Sequence, residues 1–130
     1  MPTINPTITD PSGDGSTKKI LWETLTYIDA TPGPEAFDVG ARYGAAQFAD
    51  RTAHVSGTFG TGTVLIEGSN DGVNYATLND PQGNPLTFVT ERIESISEVT
   101  NFIRPRVSVG DEAMDVDIAL IVRRANNMRT

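Results

Sequence analysis

The sequence predicts an all-β protein: an antiparallel β-sandwich, jelly-roll-like, with an extended N-terminal arm. β-Branched residues dominate, with ten Val, ten Ile and sixteen Thr against six Leu. Twelve Gly and eight Pro interrupt the chain at short intervals, as expected when brief strands are joined by tight turns. Between these turns, apolar and polar residues alternate with the period of a half-buried strand. An immunoglobulin-like sandwich fits nearly as well, because alternation does not reveal strand order.

Length and composition favour a single domain that binds neither nucleic acid nor membranes. The 130 residues suit a single core, and the absence of cysteine removes disulfides, thiolate metal sites and cysteine nucleophiles. A net charge of −7 disfavours nucleic acid as a partner, because binding a phosphate backbone requires clustered Lys and Arg. The sequence has no signal peptide pattern and no apolar run near the roughly 18 residues of a membrane span. We therefore expect no membrane partner and synthesis in the cytoplasm.

Residues 1–19 form the predicted N-terminal arm. They contain three prolines and few bulky apolar side chains, so they bury too little surface to fold alone. One interpretation is a frayed tail. The other is an extended arm that orders against a neighbouring subunit through Ile4 and Ile8, with proline lowering the entropic cost of holding it extended.

The sandwich domain is predicted to span residues 20–124, and residues 125–130 to form a C-terminal tail. In the first strand, residues 20–29, alternation sets Ile20 and Trp22 on one face and Leu21 and Leu25 on the other. A Pro-Gly-Pro turn then opens a long connection that contains a short strand near residues 36–39.

The central part of the chain has the clearest pattern. Residues 51–59 and 63–69 alternate as strands on either side of a Gly-Thr-Gly turn. Asp71-Gly72 is a strong hairpin signal, because both residues tolerate positive φ, and it predicts that residues 73–78 pair back. A loop over residues 79–85 then leads to a further strand.

Residues 91–99 are ambiguous, because apolar residues recur every three positions and Thr90 could cap a short helical turn. Residues 102–109 alternate again, and Pro105 predicts that this strand lies at an edge or is bulged. The run from Met114 to Val122 is the longest alternating segment.

No motif of catalysis or metal binding stands out. His54 is the only histidine and lies on the polar face of its strand, and the Gly-x-Ser-x-Gly spacing of a nucleophile elbow does not occur. The carboxylates Asp111, Glu112, Asp115 and Asp117 lack the spacing of a calcium loop and fit a solvated turn followed by the outer face of a strand. The glycine-rich strings lack the lysine of a phosphate loop. We expect no enzyme activity and no cofactor or metal.

Four arginines fall on the last two predicted strands: Arg104, Arg106, Arg123 and Arg124. If those strands are neighbours, the arginines form a basic patch on an acidic protein, suited to an acidic protein surface because the guanidinium fork favours interfaces. The alternative is that they are solvated or paired within the chain.

Short turn motifs distributed along the chain resemble those of a family of small tailed-bacteriophage structural proteins. They are Ala-Asp-Arg at residues 49–51, Gly-Thr-Phe at 57–59, Gly-Ser-Asn-Asp-Gly at 68–72, Asp-Pro-Gln-Gly-Asn at 80–84, Ile-Arg-Pro at 103–105, and Arg-Arg at 123–124. One departure is Tyr75, where the family usually has tryptophan. The resemblance implies a capsid decoration or cement protein of the virion: a β-sandwich that binds the capsid exterior and bridges adjacent subunits of the major capsid protein. We also expect the protein to associate with itself as a homo-oligomer.

Two other functions stay open at this stage. The Gly-Ser-Asn-Asp-Gly string followed by an aromatic residue also occurs in discoidin-like carbohydrate-binding modules, in which Trp22, Tyr43 and Tyr75 would stack on sugars. A tail or baseplate component would use the same fold at another place in the virion.

Overall fold

The computed structural model describes residues 3–26, 39–40, 43–44, 48–110 and 113–124. Within these ranges the chain forms strands and turns and no helix. The strands are β1 (Thr3–Ile4), β2 (Thr7–Thr9), β3 (Thr17–Thr26), β4 (Val39–Gly40), β5 (Tyr43–Gly44), β6 (Asp50–Thr58), β7 (Thr63–Ser69), β8 (Ala76–Thr77), β9 (Thr87–Phe88), β10 (Arg92–Ser95), β11 (Phe102–Val109) and β12 (Asp115–Arg123). A helix long and apolar enough to cross a membrane is absent from this part of the chain.

The strands form two sheets. The first sheet has the order β1-β4-β11-β7-β8, with β5 also on β11 and β9 also on β7. The second sheet has the order β10-β6-β12-β3-β2. Every pairing is antiparallel apart from that of β1 with β4. Because β6 and β7 lie in different sheets, as do β11 and β12, the chain alternates between layers, and the predicted β-sandwich is confirmed.

One apolar core fills the space between the sheets. Both sheets contribute to it by the alternation of their strands, which turns every second side chain inward. Its strand members are Ile20, Trp22 and Leu25 of β3, Ala53 and Val55 of β6, Val64 and Ile66 of β7, Phe88 of β9, Ile103 and Val107 of β11, and Val116, Ile118, Leu120 and Val122 of β12.

A β-bulge in β3 corrects the predicted faces of that strand. Alternation placed Leu25 opposite to Ile20 and Trp22, but all three are buried. Between Trp22 and Leu25, β3 has two residues where β12 has one, Asp117, so the side-chain direction is reset. Thr24 adopts φ 60 in the bulge, and its N–H donates to Asp117 Oδ1 at 2.9 Å. The carboxylate of Asp117 therefore accepts a hydrogen bond from Thr24, the bulge residue.

Gly57 allows β6 and β12 to approach closely. Its φ is +120, and a Cβ at this position would lie 2.5 Å from the carbonyl oxygen of Asp115. An L side chain would meet backbone there, so only glycine fits without displacing the strands.

The ambiguous segment at residues 91–99 begins with a strand, and the helical turn capped by Thr90 is not formed. β10 pairs with β6 so that Ile93 faces outward beside His54. Ile96 lies beyond the end of β10, is buried, and donates its N–H to Arg51 O at 3.0 Å. The three-residue spacing therefore arises from one outward strand residue and one core residue after the strand.

Pro105 lies in an interior strand and not at an edge. It faces Ile66 of β7, while on its other side β11 pairs with β5 at Phe102 and Ile103 and with β4 at Arg106. The bulged alternative is confirmed, because the register between β11 and β7 shifts between Val107 and Val109.

Part of the predicted N-terminal arm belongs to the sheets. β1, β2 and the first residues of β3 all precede residue 20, and β2 pairs with β3. The domain boundaries at residues 19 and 124 stay predictions. Most of the predicted strand at 36–39, the acidic residues 111 and 112, and the C-terminal tail 125–130 lie outside the described residues.

Candidate functional site

Arg104 and Arg106 lie on the outer face of the first sheet. The buried residues of β11 alternate with them, since Ile103, Pro105 and Val107 point into the core. Each arginine side chain keeps about a third or less of its surface exposed, 27% for Arg104 and 31% for Arg106. Both are therefore half-buried side chains on the outer face of the sheet.

Glu67 of β7 joins the two arginines. Its Oε1 accepts from Arg104 Nε at 3.0 Å and its Oε2 accepts from Arg106 Nε at 2.9 Å. The residue is only 5% exposed. Hydrogen bonds between charged groups are stronger than neutral ones, so this arrangement fixes both guanidinium groups.

Tyr75 completes the group, which we call the arginine cluster (Glu67, Tyr75, Arg104 and Arg106). The Cζ atom of Arg104 lies 3.7 Å from the centroid of the Tyr75 ring, within the range of a cation–π interaction. One face of the ring is thus covered by the guanidinium. The predicted pairing of residues 73–78 is confirmed at β8, which pairs with β7 and holds Tyr75 near the sheet.

The turn before Tyr75 is fixed by Asp71. Its carboxylate accepts from the N–H groups of Asn74 and Val73, from Asn74 Nδ2 and from Ser69 Oγ. These bonds favour the ionised form and hold the pKa of Asp71 well below its usual range. Gly72 supplies the positive φ of 77 that the turn needs. The motif at residues 68–72 therefore positions the aromatic residue of the cluster.

The other two predicted arginines lie in the other layer. Arg123 is in β12 of the second sheet, where its Nη2 is 3.0 Å from Asp50 Oδ2 and its side chain is 61% exposed. Arg124 follows β12 and donates its main-chain N–H to Ser16 O at 2.8 Å. Because β11 and β12 are not neighbours, the expected single basic patch on adjacent strands is wrong.

Ile4 and Ile8 differ in their surroundings. Ile4 is partly buried and packs against the core of its own chain. Ile8 lies on β2 at the edge of the second sheet and is 51% exposed. Their role in binding a neighbouring subunit stays a prediction, and only Ile8 presents a large exposed surface for it.

A cavity of about 350 Å³ opens at the outer face of the second sheet. Side chains of β3, β6 and β12 surround it, including the Asp50–Arg123 ion pair. Its lining residues are Thr17, Asp50, Arg51, Thr52, Ile121 and Arg123.

Arg51 is a structural arginine that the sequence analysis named only as part of the Ala-Asp-Arg motif, without a role of its own. It is 3% exposed, and its guanidinium donates to Phe48 O and Thr100 O, both at 2.7 Å, and to Glu98 O at 3.3 Å. Burial lowers the pKa of Arg51 because it disfavours the charged form. The available signal was its place among the inward residues of β6, where it alternates with Ala53 and Val55.

Two further carboxylates hold loops together. Burial raises the pKa of Glu98, but hydrogen bonds from the N–H and Nδ2 of Asn79 outweigh it and leave the pKa below its usual value. Asp80 accepts from the N–H groups of Asn84 and Gln82, which closes the turn at residues 80–84. These residues fix the connections between strands.

The remaining sequence candidates form no metal-binding group in the described ranges. His54 is half-exposed, and its Nε2 lies 3.0 Å from Glu91 Oε2. Across residues 3–26, 39–40, 43–44, 48–110 and 113–124, no three His, Asp or Glu side chains are grouped to hold a metal ion. Trp22 is 1% exposed and cannot stack on a sugar, whereas the side chain of Tyr43 is outside the described part.

Comparison with solved structures finds proteins that are similar to this chain, among them the two that follow. SPBc2 prophage-derived protein YomS is 13% identical, with a TM-score of 0.51 over 82% of this chain and 93% of YomS. The K1 cleaved adhesin domain of Lys-gingipain from Porphyromonas gingivalis W83 is 10% identical, with a TM-score of 0.41 over 93% of this chain and 91% of that domain. No protein-family model and no curated protein matches the sequence. The likeness to YomS shows that this chain has the fold of a prophage-derived protein.

Proposed function

We propose that the protein is a structural component of a tailed-phage virion. It binds the capsid exterior as a decoration protein and stabilises contacts between subunits of the major capsid protein. The observation that carries the proposal is that three of the motifs resembling the decoration family, at residues 49–51, 68–72 and 80–84, hold loops of a fold shared with a prophage-derived protein. In this role the protein needs no catalytic residue and no cofactor.

Rigid loops suit this role. A protein that binds the assembled shell and not the free subunits stabilises the shell by mass action. Loops held by Arg51, Asp71, Asp80 and Glu98 lose little further conformational freedom on binding, so less of the binding free energy is spent on ordering them. Copies arranged by capsid symmetry, or joined as a homo-oligomer, would add many weak contacts.

The test is to mix the purified full chain with phage heads that lack it. We expect saturable co-sedimentation with expanded heads, extra density on the capsid exterior by cryo-electron microscopy, and a higher temperature of head disruption. Heads that bind none of the chain, or mature virions without it, would refute the proposal.

A tail or baseplate location is the second candidate, and the same micrographs distinguish it by density on the tail. A carbohydrate-binding role has less support, because Trp22 is buried and Arg104 covers one face of Tyr75. A glycan array measures that role directly.

A further inference from the structure

We infer that the arginine cluster is a carboxylate-binding site that receives an acidic side chain of the major capsid protein. This inference rests on the proposed function and names the contact that would carry it. The site is the outer face of the first sheet around Arg104 and Arg106, and its ligand is an Asp or Glu within an extended protein segment.

The charge of the cluster is unbalanced. Two guanidinium groups share one carboxylate, that of Glu67, so the cluster has a net charge of +1 on a chain with a net charge of −7. In the ranges that the structure describes, Glu67 is the one carboxylate within 4.0 Å of either guanidinium. A second carboxylate from a partner would neutralise the cluster.

The guanidinium groups are oriented before a ligand arrives. Glu67 accepts hydrogen bonds from the Nε atoms, and among the described residues no acceptor is bonded to the terminal nitrogens of either fork. Stacking on Tyr75 further restricts Arg104. Planar forks fixed in this way match the two oxygens of a carboxylate, and a preorganised site loses less side-chain entropy on binding.

The surroundings favour a peptide over a sugar or a nucleic acid base. Sugars and bases stack on bare aromatic rings, whereas Arg104 covers a face of Tyr75. Leu65 and Phe102 alternate with the buried residues of their strands and lie on the same outer face, both half-buried. An acidic residue between apolar neighbours in an extended segment complements this surface.

Other charged positions are weaker candidates for the contact. Arg123 is already matched one to one by Asp50, and both side chains are more than half exposed, 61% and 54%. Exposed pairs of this kind are screened by solvent and contribute little. Arg123 is therefore the matched control for the two cluster arginines.

The experiment compares head binding by the full chain, by R104Q/R106Q and by the control R123Q. We expect the double variant to bind heads about tenfold more weakly, and R123Q to stay within about twofold of the wild type. Thermal unfolding checks that each variant is folded. If R104Q/R106Q does not fold, R104K/R106K keeps the charge but loses the fork, and we expect it to bind more weakly than the wild type.

A second measurement separates the inference from the proposed function. The wild-type chain is titrated with a synthetic peptide, acetyl-Gly-Leu-Glu-Leu-Asp-Leu-Gly-amide, while the Nε–H resonances of Arg104 and Arg106 are followed by NMR. We expect saturable shifts that disappear when Gln and Asn replace the acidic residues. If the peptide binds but heads do not, the capsid proposal fails, and the arginine cluster remains a carboxylate-binding site whose partner is not the major capsid protein. The inference fails if heads bind the wild type and R104Q/R106Q equally, if the peptide causes no shift, or if hyaluronate binds the cluster more tightly than the peptide.

Discussion

Replacing Arg51 with methionine should open the loops that close one end of the sandwich. Methionine fills a similar volume but donates no hydrogen bond. The substitution leaves the carbonyl oxygens of Phe48 and Thr100 without the donor that now lies 2.7 Å from each of them. The weaker bond to Glu98 O, at 3.3 Å, is lost as well.

The expected loss follows from the two short bonds. Each joins a charged donor to a main-chain acceptor, and such a bond contributes about 1.5 kcal/mol or more. The free energy of unfolding should therefore fall by about 3 kcal/mol, and the melting temperature by roughly 10 °C for a domain of this size. R51K keeps the charge but not the planar fork and should lose about half as much.

Urea unfolding followed by the fluorescence of Trp22, the single tryptophan, measures this loss, because Trp22 is buried in the core. With a slope near 2 kcal/mol per molar urea, the midpoint of R51M should fall by about 1.5 M without a change in slope. R123Q, at an exposed ion pair, should change the stability by less than about 0.5 kcal/mol. If R51M lost less than about 1 kcal/mol, the guanidinium would not be what holds these loops.

Three further substitutions test local features. G57A should lower the free energy of unfolding in urea by about 3 kcal/mol, and the control G83A by about 1 kcal/mol. Both positions have positive φ, but of the two only Gly57 faces backbone atoms. Equal losses would contradict the close approach of β6 and β12. D117A removes the acceptor of the Thr24 N–H and should lower the stability by about 1 kcal/mol; an unchanged urea midpoint would show that the bulge does not need it. The folded-state pKa of Asp71 lies below its ordinary value of 3.8, so its contribution is present above about pH 4 and is lost as the pH falls further. D71N should therefore be less stable than the wild type at pH 7 and should lose less stability between pH 5 and pH 2. Melting temperatures measured across this pH range test the prediction. If the melting temperatures of D71N and the wild type fell in parallel, Asp71 would not stabilise the folded state through its ionised form.

Strand positions could be predicted from the sequence because they depend on local alternation and turn residues. The Gly-Thr-Gly turn and Asp71-Gly72 delimit β7 as expected, and β12 follows the longest alternating run. The faces of β3 could not be predicted, because the bulge that resets them depends on pairing with β12 and on Asp117, 93 residues away from Thr24. Alternation within one strand carries no information on such a distant partner.

The arginine cluster could likewise be predicted only in part from the sequence. Alternation placed Arg104 and Arg106 on one face of a strand, and the structure confirms that. Their joint partner, Glu67, has no distinguishing local pattern, since an outward glutamate in a strand is ordinarily a solvated residue. Only the pairing of β11 with β7 brings this carboxylate between the two guanidinium groups. Sheet membership likewise separates Arg123 from them, and strand order was the property that the sequence left open.

The buried position of Glu67 bears on how a docking contact at this face would behave. A carboxylate that is 5% exposed needs its two arginines, because an ionised group without partners in such a place is strongly destabilising. The arginines are therefore required for the sheet itself, and a partner's carboxylate uses groups that are already positioned and partly desolvated. Screening by salt should weaken such a contact less than one made by fully exposed lysines or arginines. The affinity for phage heads should therefore fall only gradually as the NaCl concentration is raised. A steep fall would instead indicate a diffuse electrostatic attachment.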